Sequence, residues 1–129
     1  ANNLALETVR TPFALLINPD AVLEDGCVDA LLHAAQQFPD AAILAPKLTD
    51  NHSRLLESFK RNVFRREATK DRFVMPEGAC CAEFLSGAIW LMRMEAFRNI
   101  GFFDPPLFLF YEDDDLCIRI RQGGFSLVY

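Results

Sequence analysis

The chain has little of what metal, redox and nucleic-acid sites are usually made from. Its two histidines, His33 and His52, stand apart, and its four cysteines include no CxxC pair, so a structural zinc site lacks a ligand set. Cys80 and Cys81 are adjacent, while Cys27 and Cys117 lie in apolar helical patterns. That spacing is not a disulfide framework, and a reducing compartment is expected. No Ser/His/Asp or Cys/His arrangement offers a covalent nucleophile. Basic residues are outnumbered 13 to 18, a net charge of −5, the opposite of a nucleic-acid-binding balance. No apolar run approaches the roughly 18 residues of a membrane-spanning helix, and no basic-then-apolar leader is visible, so a soluble chain is expected.

What is there is a core. The 129 residues are 51% apolar with 12 phenylalanines, enough for one folded domain and too apolar for a disordered chain. The charge is unevenly placed. Glu112, Asp113, Asp114 and Asp115 are consecutive, and the rest of the chain is close to neutral without them. The segment Lys60 to Arg72 runs the other way, with Lys60, Arg61, Arg65, Arg66, Lys70 and Arg72 against Glu67 and Asp71.

Along the chain, Asn3 to Val9 reads as a short helix, and Phe13-Ala14-Leu15-Leu16-Ile17 as a fully buried, parallel strand stopped by Asn18-Pro19-Asp20. Glu24 and Asp25 open a predicted helix with Val28, Leu31, Leu32 and Ala35 on its apolar face. Ala42 to Ala45 is a second short strand, and Lys47 to Ser58 folds around Asp50-Asn51-His52-Ser53 as a hairpin. Ala88 to Met92 is predicted as strand and Glu95 to Ile100 as a helix ended by Gly101. Phe108 to Tyr111 is extended, Leu116 to Arg121 helical, and Phe125 to Tyr129 a last strand. Strands alternating with helices indicate an α/β domain with a parallel or mixed sheet.

On a helix, residues three and four apart share a face, so Glu112 and Asp113 fall on the same side as Leu116, Cys117 and Ile120. Asp115 instead precedes Arg119 by four, the order that favours a surface ion pair. Acids in a first turn complement the helix dipole, but four in succession exceed what about half a unit charge requires. Functional carboxylates are the other reading. Asn18 and Asp20 follow a strand at the end where ligands bind in open α/β sheets, although spacing alone favours an Asx-type turn before a helix.

These segments together resemble the family 2 glycosyltransferases of GT-A fold, in particular the rhamnosyltransferase-like members. The resemblance runs through Asn2-Asn3 with Phe13 to Leu23, through Phe84-Leu85-Ser86-Gly87-Ala88 with Arg93 to Phe97 and Gly101 to Asp104, and through Phe110 to Arg119. It implies a Rossmann-like nucleotide-diphospho-sugar transferase fold with a mixed sheet, truncated at both ends. Residues 1–129 would then be part of a catalytic domain, without its N-terminal nucleotide-binding strand and its C-terminal segment. The implied activity is inverting transfer of a sugar from a nucleotide-diphosphate donor to a saccharide or lipid-linked acceptor in polysaccharide biosynthesis, assisted by Mg²⁺ or Mn²⁺.

By the same resemblance Asp113 is the general base, and Glu112 orients it or binds the acceptor. Asp20 contacts the metal or the donor diphosphate, with Asn18 as its companion in place of the usual first aspartate. Gly87 borders the acceptor pocket, and Trp90 either stacks on a sugar there or belongs to the core. The implied location is cytoplasmic, at the inner face of the membrane, where the basic segment Lys60 to Arg72 would contact an anionic acceptor or lie free as a solvated loop. The alternatives are a non-catalytic truncated module that pairs as a homodimer to complete its sheet, and an Asp-rich cation site without transfer activity.

Overall fold

A computed structural model describes residues 2–60, 77–107 and 111–129. All but the first residue of the basic segment, together with Phe108, Leu109 and Phe110, lie outside the described residues. Helix α1 (Asn2–Thr8) leads into β1 (Phe13–Ile17), followed by α2 (Cys27–Gln37), β2 (Ala41–Leu44) and β3 (Phe59–Lys60). After the undescribed stretch come β4 (Cys81–Ala82), β5 (Phe84–Leu85), β6 (Ile89–Arg93), α3 (Met94–Ile100), α4 (Glu112–Gln122) and β7 (Ser126–Val128).

Five strands form one sheet in the order β1-β6-β2-β7-β4, and β3 pairs with β5 in a separate two-stranded ribbon. Among the described strands only β2 and β7 run parallel; β6 is antiparallel to both of its neighbours, so the sheet is mixed. The apolar run at β1 is a strand, but not the buried parallel one expected. It lies at the sheet edge, antiparallel to β6, with Phe13 to Leu16 half-buried and Ile17 exposed. Continuous apolar character reports that both faces are partly covered and carries no information about strand direction.

The sheet separates two packed layers. On one face α2 sets Leu31 and Ala35 against Ala41, Leu44, Leu91 and Val128. Val28 and Leu32, expected on that same face, are exposed. This helix also starts later than Glu24: Gly26 adopts φ 78°, a left-handed turn that glycine enters without steric cost, and helical geometry begins at Cys27. On the other face Trp90, Met92 and Ile43 pack with Leu116, Cys117 and Ile120 of α4 and with Phe97 of α3. The stripe Leu116, Cys117 and Ile120 is buried as its spacing predicts.

Between these layers the chain is fastened by side chains bonding to backbone. Arg93, at the end of β6, donates from Nε to Ala41 O (3.0 Å) and from Nη2 to Ala35 O (2.6 Å) and Phe38 O (3.3 Å), and its guanidinium lies over the Phe13 ring. The α2 helix has no basic residue in its own last turn, so Arg93 supplies the cation its C-terminal carbonyls favour. Near the chain start, Asn3 Nδ2 donates to Phe103 O (2.7 Å) and Phe103 N–H donates back to Asn3 Oδ1 (3.1 Å).

Candidate active site

The acidic helix α4 begins at Tyr111, an N-cap residue in left-handed geometry (φ 68°), which few non-glycine residues adopt. That sharp entry points the first turn back at the sheet. Glu112, Asp113, Asp114 and Asp115 are all half-buried there. Asp115 bonds Arg119 at 2.7 Å, as the four-residue spacing predicts. Arg119 does more than its sequence position suggests: Nη1 donates to Ile100 O (3.1 Å) and Nη2 to Phe102 O (2.7 Å), which ties α4 to the end of α3.

Asp113 turns the other way. Its Oδ2 accepts a long hydrogen bond from the Gly87 N–H (3.3 Å), and its Oδ1 accepts from the N–H of Asp114 (3.0 Å). The approach depends on a small residue at position 87. A Cβ there would meet Asp113 Cβ at 3.5 Å and Asp113 Oδ2 at 3.8 Å, so alanine fits and anything larger would press on the carboxylate. The next residue, Ala88, accepts through its O from the Asn18 N–H at 2.9 Å. Three separate segments thus meet: the end of β1, the turn before β6 and the start of α4. One backbone–backbone bond and one longer bond from backbone to carboxylate join the expected donor side, acceptor side and base.

Asn18 and Asp20 are exposed and line a cleft of about 660 Å³. Lys47, Thr49, Asp50 and Asn51 form its opposite wall. The hairpin expected over Lys47 to Ser58 supplies that wall, held by Asp50 Oδ1 accepting from the N–H groups of His52 and Arg54 and by a bridge between Thr49 and Leu55. No role is expected of this hairpin from sequence; its lysine directly after Pro46 is the available signal. Among the described residues no group of three or more His, Cys, Asp or Glu side chains is placed to hold a metal ion. Asp20 still provides hard oxygen donors, and Mg²⁺ is commonly held by one or two carboxylates plus substrate phosphates instead of a protein cage. The residues present therefore fit a cation shared with a phosphorylated ligand.

Trp90 does not stand in the acceptor pocket as a sugar platform. It is fully buried, and Phe103 covers one face of its ring at 6.0 Å between centroids, nearly coplanar. A ring with no exposed face has no surface to offer a ligand. The sequence left this open because a strand apolar at every position does not reveal which side chains are open to solvent. Cys117, on the buried face of α4, has its thiol pushed up to about 12, chiefly by burial. It is structural.

With its mixed sheet, the acidic helix start and the cleft at the end of β1, the chain belongs to the family described as "Glycosyltransferase like family 2", whose pattern matches residues 2–129. Two curated relatives, each named N-acetylglucosaminyl-diphospho-decaprenol L-rhamnosyltransferase, come from Mycobacterium tuberculosis strains CDC 1551 / Oshkosh and ATCC 25618 / H37Rv. Each is 29% identical over 136 residues, covering 91% of this chain and 44% of the relative. The chain therefore spans less than half the length of the curated relatives it matches. No solved structure matches it. Among the described residues, no helix is long and apolar enough to cross a membrane.

Proposed function

We propose that the protein containing this chain transfers a deoxyhexose such as rhamnose from a nucleotide-diphosphate donor to a lipid-linked saccharide acceptor, by a single inverting displacement. The observation that carries this reading is the contact between Gly87 N–H and Asp113 Oδ2, which joins the segment expected to border the acceptor to the carboxylate expected to act as base. A carboxylate anchored by two backbone N–H groups is held in one orientation and keeps lone pairs free for an acceptor hydroxyl. Glu112, its neighbour, orients the acceptor or the base. On the other side of the Asn18–Ala88 contact, Asp20 and Asn18 face the donor diphosphate, and Asp20 holds Mg²⁺ or Mn²⁺ together with the phosphates. When bound, the cation neutralises charge on the departing diphosphate. The names of the mycobacterial relatives support both rhamnose and a lipid-linked diphosphate acceptor. The cationic stretch Lys60 to Arg72 agrees with an anionic acceptor held at a membrane surface by peripheral contact.

The test uses the full-length protein. Calorimetric titration with a nucleoside-diphosphate rhamnose is expected to give binding that requires Mn²⁺ or Mg²⁺. Replacement of the base, Asp113→Asn, is expected to lower turnover by at least roughly a hundredfold while donor binding is retained. Metal-independent donor binding would remove the role given to Asp20, and an active Asp113→Asn enzyme would remove the base.

A second reading rests on β1. Among the described residues its outer edge pairs with no other strand. Such an edge accepts another strand, and a self-associating module that completes its sheet in this way is the alternative to a catalytic one.

A further inference from the structure

Among the described residues three polar side-chain atoms lie out of reach of solvent with no hydrogen-bond partner: Ser58 Oγ, Trp90 Nε1 and Glu112 Oε2. The chemistry of the last two is complementary. An indole N–H only donates, and a carboxylate oxygen only accepts. Trp90 is fully buried, and its orientation is fixed by Phe103, which is itself clipped through both backbone groups to Asn3. The Cζ2 atom, bonded to the same ring carbon as Nε1, lies 3.8 Å from the point where a Gly87 Cβ would sit, and Asp113 Cβ lies 3.5 Å from that point. The side of the indole that carries Nε1 and the Asp113 side chain therefore border the same point above Gly87, and Glu112 directly precedes Asp113 in the chain.

Neither atom bonds the other, yet buried donors and acceptors are almost always satisfied, and polar sites between them commonly hold an internal water. We propose that Trp90 is a positioning residue: one internal water accepts from its indole N–H and donates to Glu112 Oε2, fixing the Glu112 carboxylate beside Asp113. The link between Trp90 and Glu112 rests on the two buried, complementary atoms and on the approach of Trp90 and Asp113 to Gly87; its catalytic consequence rests on the transferase reading given above. In that setting Trp90 touches no substrate. It acts through Glu112, which gives the fully buried tryptophan a polar task that a phenylalanine of similar shape would not perform.

The chain contains a single tryptophan, so its indole gives one ¹H–¹⁵N resonance. In the 129-residue chain that proton is expected to show a through-space cross-peak to water, opposite in sign to chemical exchange. The resonance is expected to move in Glu112→Gln while the backbone spectrum keeps its dispersion. Absence of the water cross-peak in the unaltered chain, or an unmoved resonance in Glu112→Gln, overturns the proposal. In the full-length protein, assayed with a nucleoside-diphosphate rhamnose and N-acetylglucosaminyl-diphospho-decaprenol, Trp90→Phe is expected to lower kcat on the order of fivefold, the worth of one net hydrogen bond, with KM for the acceptor unchanged. An unchanged kcat overturns the positioning role. The spectrum needs no turnover, so an inactive full-length protein would count against the transferase reading and leave the link to be decided by the spectrum alone.

Discussion

Cys117 lies four residues after Asp113 on the same helix, yet the two side chains serve opposite ends. The carboxylate accepts from the Gly87 N–H, next to the cleft-lining Ala88, while the thiol is buried with its Sγ 3.8 Å from Leu85 O in the β3–β5 ribbon. Burial pushes that thiol from 9.0 up to about 12, so in the folded chain it stays protonated where an unfolded one ionises. The linkage has a definite sign. Below about 9 both states hold the proton and Cys117 adds no pH dependence; as pH rises from 9 toward 12 the unfolded state releases it first and stability falls. Urea midpoints at about pH 8 and about pH 10.5 are expected to differ more for the unaltered chain than for Cys117→Ser. Equal differences would show that the thiol is open to water. At this scale the helical period sufficed to separate Glu112 and Asp113 from Asp115, because three- and four-residue spacing is geometry that any helix imposes. It gave no warning of the αL turn at Tyr111 and left Trp90 open between sugar platform and core, since both depend on what a distant segment packs against them.

Among the elements, strand β6 carries the most. It joins the edge strand β1 to β2, and its final residue Arg93 reaches carbonyls 52, 55 and 58 residues away in sequence. The helix it caps has no cation of its own at that end. Arg93→Met, which keeps much of the length and loses every donor, is expected to destabilise the chain by about 2–3 kcal/mol. Arg93→Lys is expected to recover only part, because a single ammonium does not span three carbonyls as a planar guanidinium does. Denaturant unfolding of the two variants checks the order, and equal losses would reduce Arg93 to a point charge. Apolar runs located β1 and β2 in the sequence, and Gly101 marked the end of α3. The antiparallel direction of β1 was not legible there, because direction is set by which strand lies beside it and leaves no trace in its own five residues. The same applies to Arg93: its partners are backbone carbonyls, which every residue possesses.

For the molecule as a whole, the five-stranded sheet has β4 at one edge and β1 at the other, and among the described residues the outer edge of β1 pairs with no strand. If the second reading holds, light scattering of the isolated chain is expected to show mass rising above 14.6 kDa with concentration. Ile17→Lys, which puts a charge at the exposed end of that strand, is expected to suppress the association. A monomer at every concentration would leave the catalytic reading alone. The mixed α/β class and the order of the three motifs were legible because pattern and spacing are local. Their convergence through Asn18, Ala88, Gly87 and Asp113 was not, since it is made by two backbone contacts between segments far apart in the chain. The Asn3 clip spans still further. One side-chain amide reproduces the two-bond exchange of an antiparallel β pair across 100 residues. A loop of that length is costly to close early, which predicts that α1 docks after the rest of the chain has crossed its folding barrier. Asn3→Ala is therefore expected to speed unfolding and leave the folding rate untouched in stopped-flow measurements, whereas slower folding would place the clip in the nucleus. On that expectation the Asn3 clip is a latch, one that would set how long the folded state persists without helping to find it.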